Sequence, residues 1–297
     1  MIREQFPEYE EIIAVAMTGS GSECYGFDDE VSRDHDFEPG FCLFLPDEDI
    51  VDRRTAFQLE RAYARLPAEF QGFTRARMGP VGGHRHGVFR IDDYFTEKVG
   101  CPVEEMTAET WLRLPDYALA EAVNGEVFRD DPELLTDCRK KLLDMPEDIR
   151  RKRLAAHLLL MAQSGQYNYI RCLRHGETGA AQLAVGEFAT HAMAAWFGLQ
   201  RVYQPYYKWS FRALRALPEG EKLGSRLEWL LTTGNEESLA EEKAFAMEEI
   251  AACVIAELQA RNLTRADCGD LEKHAWSVND GIRDTTLRNL NILTTAP

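Results

Sequence analysis

The sequence predicts an α+β chain: a small mixed-sheet domain over residues 1–104, followed by an all-α helical bundle over residues 105–297. Three observations predict it. Short apolar runs closed by glycine or proline occur in the first part of the chain, one stretch between them switches to helical spacing, and strand signals nearly vanish after about residue 105.

The elements follow in order. Ile12-Ile13-Ala14-Val15-Ala16-Met17 is apolar and stops before Gly19, and Phe41-Cys42-Leu43-Phe44-Leu45 stops at Pro46, so both read as buried strands. Between Asp49 and Leu66, Ile50, Phe57, Leu59, Ala62, Tyr63 and Leu66 recur among charges at the spacing of a helix that covers a sheet. Gly87-Val88-Phe89-Arg90-Ile91-Asp92 alternates as a third strand would. Beyond it only Gly125-Glu126-Val127-Phe128 looks strand-like. Helical spacing governs 150–174, 180–202, 206–217 and 239–261, with Gly176, Pro205 and Pro218-Glu219-Gly220 as breaks.

A formal net charge of −16 and the lack of a Lys/Arg run argue against extended nucleic acid as a partner. A single nucleotide remains compatible, because a metal ion can mediate between carboxylates and phosphates. The seven cysteines, at 24, 42, 101, 138, 172, 253 and 268, form no C-x-x-C pair and read as reduced thiols. No apolar run reaches membrane-spanning length, and the first residues lack a signal-peptide core, so a cytoplasmic protein without a membrane partner is expected.

The chemistry concentrates after the first strand. Gly19-Ser20-Gly21-Ser22 allows a backbone to approach a phosphate and turn amides and hydroxyls toward it. Asp34 and Asp36 are alternate residues before the second apolar run, and in an extended segment they share a face. Such a carboxylate pair beside a phosphate-binding turn suits two Mg²⁺ ions, which lower the pKa of an attacking hydroxyl and neutralise a leaving pyrophosphate. The plain structural alternative is a Gly-Ser turn followed by a solvated acidic loop, since Asp28, Asp29 and Glu30 are close by.

In its order Gly21-Ser22, spacer, Asp34-His35-Asp36, the segment resembles the DNA polymerase beta-like nucleotidyltransferase superfamily. The wider run from Gly19 to Phe37, with Tyr94-Phe95, Lys98-Val99-Gly100 and Tyr203-Gln204-Pro205-Tyr206-Tyr207-Lys208-Trp209, is similar to an uncharacterised bacterial branch known only as a domain of unknown function. The resemblance implies a nucleotidyltransferase-type first domain. It also implies ATP or another nucleoside triphosphate as co-substrate, Mg²⁺ or Mn²⁺ at Asp34 and Asp36, and transfer of a nucleoside monophosphate, AMP by expectation, to a hydroxyl of a small molecule or protein. Ser20, Gly21 and Ser22 would hold the triphosphate. The superfamily adds a third carboxylate from a neighbouring strand, which either Asp92 or Asp93 could supply, Asp92 being the one placed on a face with Val88 and Arg90. Without it, the expectation becomes a catalytically weak or inactive nucleotide sensor or partner-binding protein.

In the helical half, Glu187 sits in an apolar stretch and is the candidate base for an acceptor hydroxyl, against a surface or paired glutamate as the plain alternative. Lys208, among Tyr206, Tyr207 and Trp209, is a candidate cation for nucleotide phosphates or base, or else part of an ordinary aromatic interface. His84-Arg85-His86 reads as a solvated loop rather than an ion site. His157 and His191 read as satisfied core histidines, and Tyr167, Tyr169 and Trp196 as core.

Overall fold

The computed structural model describes residues 1–33, 39–74 and 85–295. Asp34, His35, Asp36 and His84 lie outside the described residues. The chain is α+β and forms two compact units, one of Met1–Thr110 with Ala118–Asp144, the other of Trp111–Tyr117 with Met145–Pro297.

The first unit opens with a short helix, α1 (Ile2–Gln5), and strand β1 (Ala14–Ala16). Strand β2 (Cys42–Leu45) is buried at every position, as befits a strand covered on both faces. Leu43 and Leu45 join Ile13 and Val51 in one apolar cluster with Leu59, Ala62 and Tyr63 of helix α2 (Arg53–Ala64). Phe44, pointing the other way, meets Tyr94 edge-on at 5.0 Å between ring centroids. Asp52 caps α2 by accepting from the Thr55 amide at 2.7 Å, so the helix starts four residues later than Asp49.

A two-stranded hairpin, β3 (Glu69–Phe70) and β4 (Phe73–Thr74), precedes β5 (Gly87–Arg90) and helix α3 (Ile91–Val99). The strand expected through Asp92 ends at Arg90. Ile91, Tyr94, Phe95 and Val99 are buried at three-and-four spacing, so the apolar pattern there belongs to a helix. Helices α4 (Ala108–Arg113) and α5 (Asp116–Val123) lead to β6 (Val127–Arg129) and α6 (Leu134–Leu143).

The main sheet has the order β5-β2-β1-β6 and is mixed: β1 runs antiparallel to β2 and β6, and β2 parallel to β5. The expected boundary at residue 104 therefore needs correction. Strand β6 closes one side of the sheet against β1, and α6 is part of the same unit, which runs to Asp144. Gly125, at φ 71°, lets the chain enter β6 beneath Met17, whose carbonyl a side chain here would strike.

The second unit is helical: α7 (Glu147–Met161), a π-helical segment (Ala162–Asn168), α8 (Tyr169–Arg174), α9 (Thr178–Gln200), α10 (Tyr207–Arg215), α11 (Gly220–Thr232), α12 (Glu237–Ala260), α13 (Leu271–Asp280) and α14 (Thr285–Asn289). Helix α9 is apolar over most of its circumference and runs through the core, with Phe188, Trp196 and Phe197 buried among Leu158, Leu227 and Val254. The π segment lies where Gly165 leaves room for the Phe188 ring, which a Cβ there would strike. Tyr169 and Trp196 are core as expected, whereas Tyr167 is exposed beneath the Arg171 guanidinium, because the π segment turns its ring outward. Buried Lys152 donates to Asn279 Oδ1 at 2.9 Å and to the Leu290 carbonyl at 2.7 Å, fastening the C-terminal turn to α7.

Candidate functional site

Register fixes which loops meet at each end of the main sheet. Ala16 pairs with Cys42, and Cys42 with Gly87, so the chain leaves β1 where it enters β2 and β5. The Gly19–Ser22 turn belongs to that end. Leu45 pairs with Arg90, so Asp92 follows the opposite end. At ~3.3 Å per residue the strand alone puts roughly 10 Å between the two ends.

The turn is clamped. Gly19 lies at φ 127°, a conformation that side-chain-bearing residues avoid. Its amide donates to Asn124 Oδ1 at 2.9 Å, and its carbonyl accepts from Asn124 Nδ2 at 2.7 Å. Thr18, buried, places its hydroxyl 3.0 Å from the Tyr94 hydroxyl and 3.1 Å from the Glu121 carbonyl. Asn124 is held from behind, since its own carbonyl accepts from the buried Arg139 guanidinium at 2.7 Å. With Gly19 satisfied, the turn continues into a 3-10 segment, Ser22–Tyr25. Among the described residues no acceptor meets the amides of Ser20, Gly21, Ser22 or Glu23. A run of unspent amides in a glycine-containing turn is a concavity for an anion.

The surroundings are polar and cationic. Arg85 Nη2 donates to Glu23 Oε1 at 2.8 Å, and the pair closes over Gly21, where any side chain would strike both groups. Lys98 Nζ reaches Glu121 Oε2 at 2.8 Å. Burial pushes the Cys24 thiol up to about 12, helped by the Glu23 carboxylate, and burial does the same to Cys42. Both are therefore held as neutral thiols at physiological pH. Burial also raises the Tyr94 and Tyr25 hydroxyls, so both remain protonated beside the turn.

Asp92 is not part of this cluster. It sits in the first turn of α3, exposed, and its carboxyl is raised by partial burial and by Asp47, Asp93, Glu104 and Glu105. Its expected place as third metal ligand beside the turn needs correction, because the strand that was to carry it ends sooner and at the far side of the sheet. The carboxylates that do lie near the turn, Glu23 and Glu121, each face a cation. Among the described residues no group of three or more His, Cys, Asp or Glu side chains is arranged to hold a metal ion. Asp34 and Asp36 lie outside those residues.

In the second unit, Glu187 is half exposed on α9, with Oε1 3.1 Å from His191 Nε2. His191 Nδ1 lies 2.9 Å from His157 Nδ1, so a surface carboxylate, a buried imidazole and a half-buried one form a line. Burial, then His191 and Arg153, lowers His157 to about 3, and burial lowers His191 despite Glu187. Both rings are neutral and mutually satisfied, as expected of core histidines, and Glu187 completes their hydrogen bonding. Lys208 is exposed at the start of α10, its ammonium 5.0 Å from the centroid of the Trp209 ring. Tyr206 stacks edge-on with Tyr117 at 5.7 Å. Beside them Asp116 accepts from Arg153 and from the Gln204 amide at 3.4 Å; burial raises its carboxyl while Arg153 opposes the shift.

Sequence reasoning missed Asn124, Thr18 and Arg139 as parts of the turn. Asn124-Gly125 carries an ordinary turn signal, and nothing local shows that its amide is matched to a glycine 105 residues earlier.

A family model described as "Domain of unknown function (DUF4037)" matches residues 111–210. This span runs from α4 through β6 and α6 of the first unit to the start of α10 in the second; it includes Asn124 and Arg139 and leaves out the Gly19–Ser22 turn. No curated protein matches the chain. No solved structure matches it either. Among the described residues no helix is long and apolar enough to cross a membrane.

Proposed function

We propose that this chain is a metal-dependent nucleotidyltransferase that binds a nucleoside triphosphate at Gly19–Ser22. It moves a nucleoside monophosphate, AMP by preference, to a hydroxyl of a small molecule or protein. The observation that carries the reading is the Asn124 clamp on Gly19, which holds the turn with the amides of Ser20, Gly21 and Ser22 meeting no acceptor among the described residues. A triphosphate fits such a turn: backbone amides meet its oxygens without desolvating a side-chain charge. Arg85 and Lys98 add positive charge at the same end of the sheet, each already balanced by a glutamate. The resemblance to the DNA polymerase beta-like superfamily supplies the rest of the proposal, with Asp34 and Asp36 as the metal-holding pair. Mg²⁺ or Mn²⁺ bound there would neutralise the triphosphate and acidify the attacking hydroxyl.

A second reading rests on a specific observation. Asp92 lies at the wrong end of the sheet, and the described carboxylates near the turn are engaged by cations. A site with two carboxylates rather than three binds nucleotide and turns over poorly, which describes a sensor. Incubation with α-labelled ATP, Mg²⁺ or Mn²⁺ and cell extract separates the two. A labelled acceptor supports transfer, and binding without labelling supports the sensor. Absence of metal-dependent nucleotide binding overturns both.

A further inference from the structure

The second unit carries a groove of about 1210 Å³ between the start of α7, the loop after α12 and the last turns of α13. Its walls are tied down. Asp148 accepts from the amides of Arg283 at 3.1 Å and Asp284 at 2.9 Å, and Ser277 Oγ accepts from the Arg265 amide at 2.7 Å. Arg151 bonds Glu147 at 3.1 Å and packs where Gly281 has no side chain.

Three of the remaining side chains are cations. Arg265, Lys273 and Arg283 line the groove, and among the described residues none of the three forms an ion pair. Trp276 lines the same groove with 46% of its surface exposed, three residues after Lys273 and therefore on the same face of α13. Asp280, one turn further along that face, supplies an acceptor.

We propose that this groove binds a phosphorylated aromatic molecule of mononucleotide size. The flat ring lies on Trp276, the phosphate among Arg265, Lys273 and Arg283, and Asp280 accepts from an amino group or hydroxyl. An indole face recognises a ring, while two guanidinium forks and an ammonium match the oxygens of a doubly charged phosphate better than a single carboxylate. The site is built from the second unit alone and needs no metal, so it stands or falls independently of the proposed transfer.

The test uses the full chain carrying Asp34→Ala and Asp36→Ala, in excess EDTA, so that metal-dependent binding at the turn is silent. AMP, adenosine and inorganic phosphate are titrated separately by calorimetry and by tryptophan fluorescence. The proposal expects AMP to bind and quench fluorescence, with adenosine and phosphate each at least ~10-fold weaker. Trp276→Leu should weaken AMP at least ~10-fold while Trp276→Phe retains most of the affinity, and the combined Arg265→Gln, Lys273→Gln, Arg283→Gln protein should lose it. Circular dichroism checks that these surface variants fold. No AMP binding at about 10 mM, phosphate binding as tightly as AMP, or affinity unmoved in Trp276→Leu and the triple variant overturns it.

Discussion

Replacing Asn124 with alanine removes both hydrogen bonds that hold Gly19, the amide to Oδ1 at 2.9 Å and Nδ2 to the carbonyl at 2.7 Å. Gly19 is buried, so water replaces these bonds poorly. At about 1 kcal/mol net for each bond, the clamped turn loses about 2 kcal/mol against its open alternatives. If nucleotide binds only the clamped turn and the substitution makes that turn the minor state, affinity falls by up to ~30-fold. The Arg139 bond goes to the backbone carbonyl of residue 124 and survives the substitution, so the rest of the unit should stay folded. Two measurements belong together: calorimetric affinity for a non-hydrolysable ATP analogue with Mg²⁺, and amide hydrogen exchange across residues 13–27. Faster exchange with affinity within about twofold of the parent would show that the clamp does not prepare a nucleotide site. Unchanged exchange would show that it is not a clamp.

Two further predictions follow from the electrostatics. Asp92→Asn should leave nucleotide affinity unchanged, because the residue lies at the other end of the sheet. It should also stabilise the protein at neutral pH: the folded carboxyl is raised above its ordinary 3.8, the folded chain therefore holds its proton longer than the unfolded one, and stability falls as pH rises through that window. Thermal melts should show the gain at pH 7 and its disappearance below the ordinary carboxyl pKa; loss of nucleotide binding in this variant would restore Asp92 to the site. His157 runs the opposite way. Held at about 3 when folded against 6.5 unfolded, it contributes stability that is complete above pH 6.5 and declines as pH falls toward 3, by about 1.4 kcal/mol per unit. His157→Gln should flatten that part of the acid-stability profile, and an unaltered slope would mean the ring is protonated in the fold.

Much of this architecture is legible in the sequence, because β1, β2 and the long helices are read from local periodicity. Strands Ala14–Ala16 and Cys42–Leu45 sit inside their apolar runs, and α9 and α12 begin and end within two residues of the expected positions. The domain boundary and the clamp depend on partners distant in sequence. Gly125-Glu126-Val127-Phe128 reads as an isolated strand until β1 is found beside it, and that pairing is what carries the first unit to Asp144. Asp92 failed for a local reason, since Gly87–Asp92 alternates like a strand while Ile91 already belongs to a helix whose other buried positions lie further on. Of the site, the turn itself was legible from its glycines. Asn124 was not, because a single amide side chain carries no periodicity.

The central claim is that Gly19–Ser22, together with Asp34 and Asp36, binds a nucleoside triphosphate through a metal ion. Calorimetric titration of a non-hydrolysable ATP analogue, with and without Mg²⁺, into the parent protein and into the Asp34→Ala, Asp36→Ala double variant tests it most directly. The account predicts metal-dependent binding in the parent that the double variant loses. Equal binding by both proteins in Mg²⁺, or none by the parent, would contradict it.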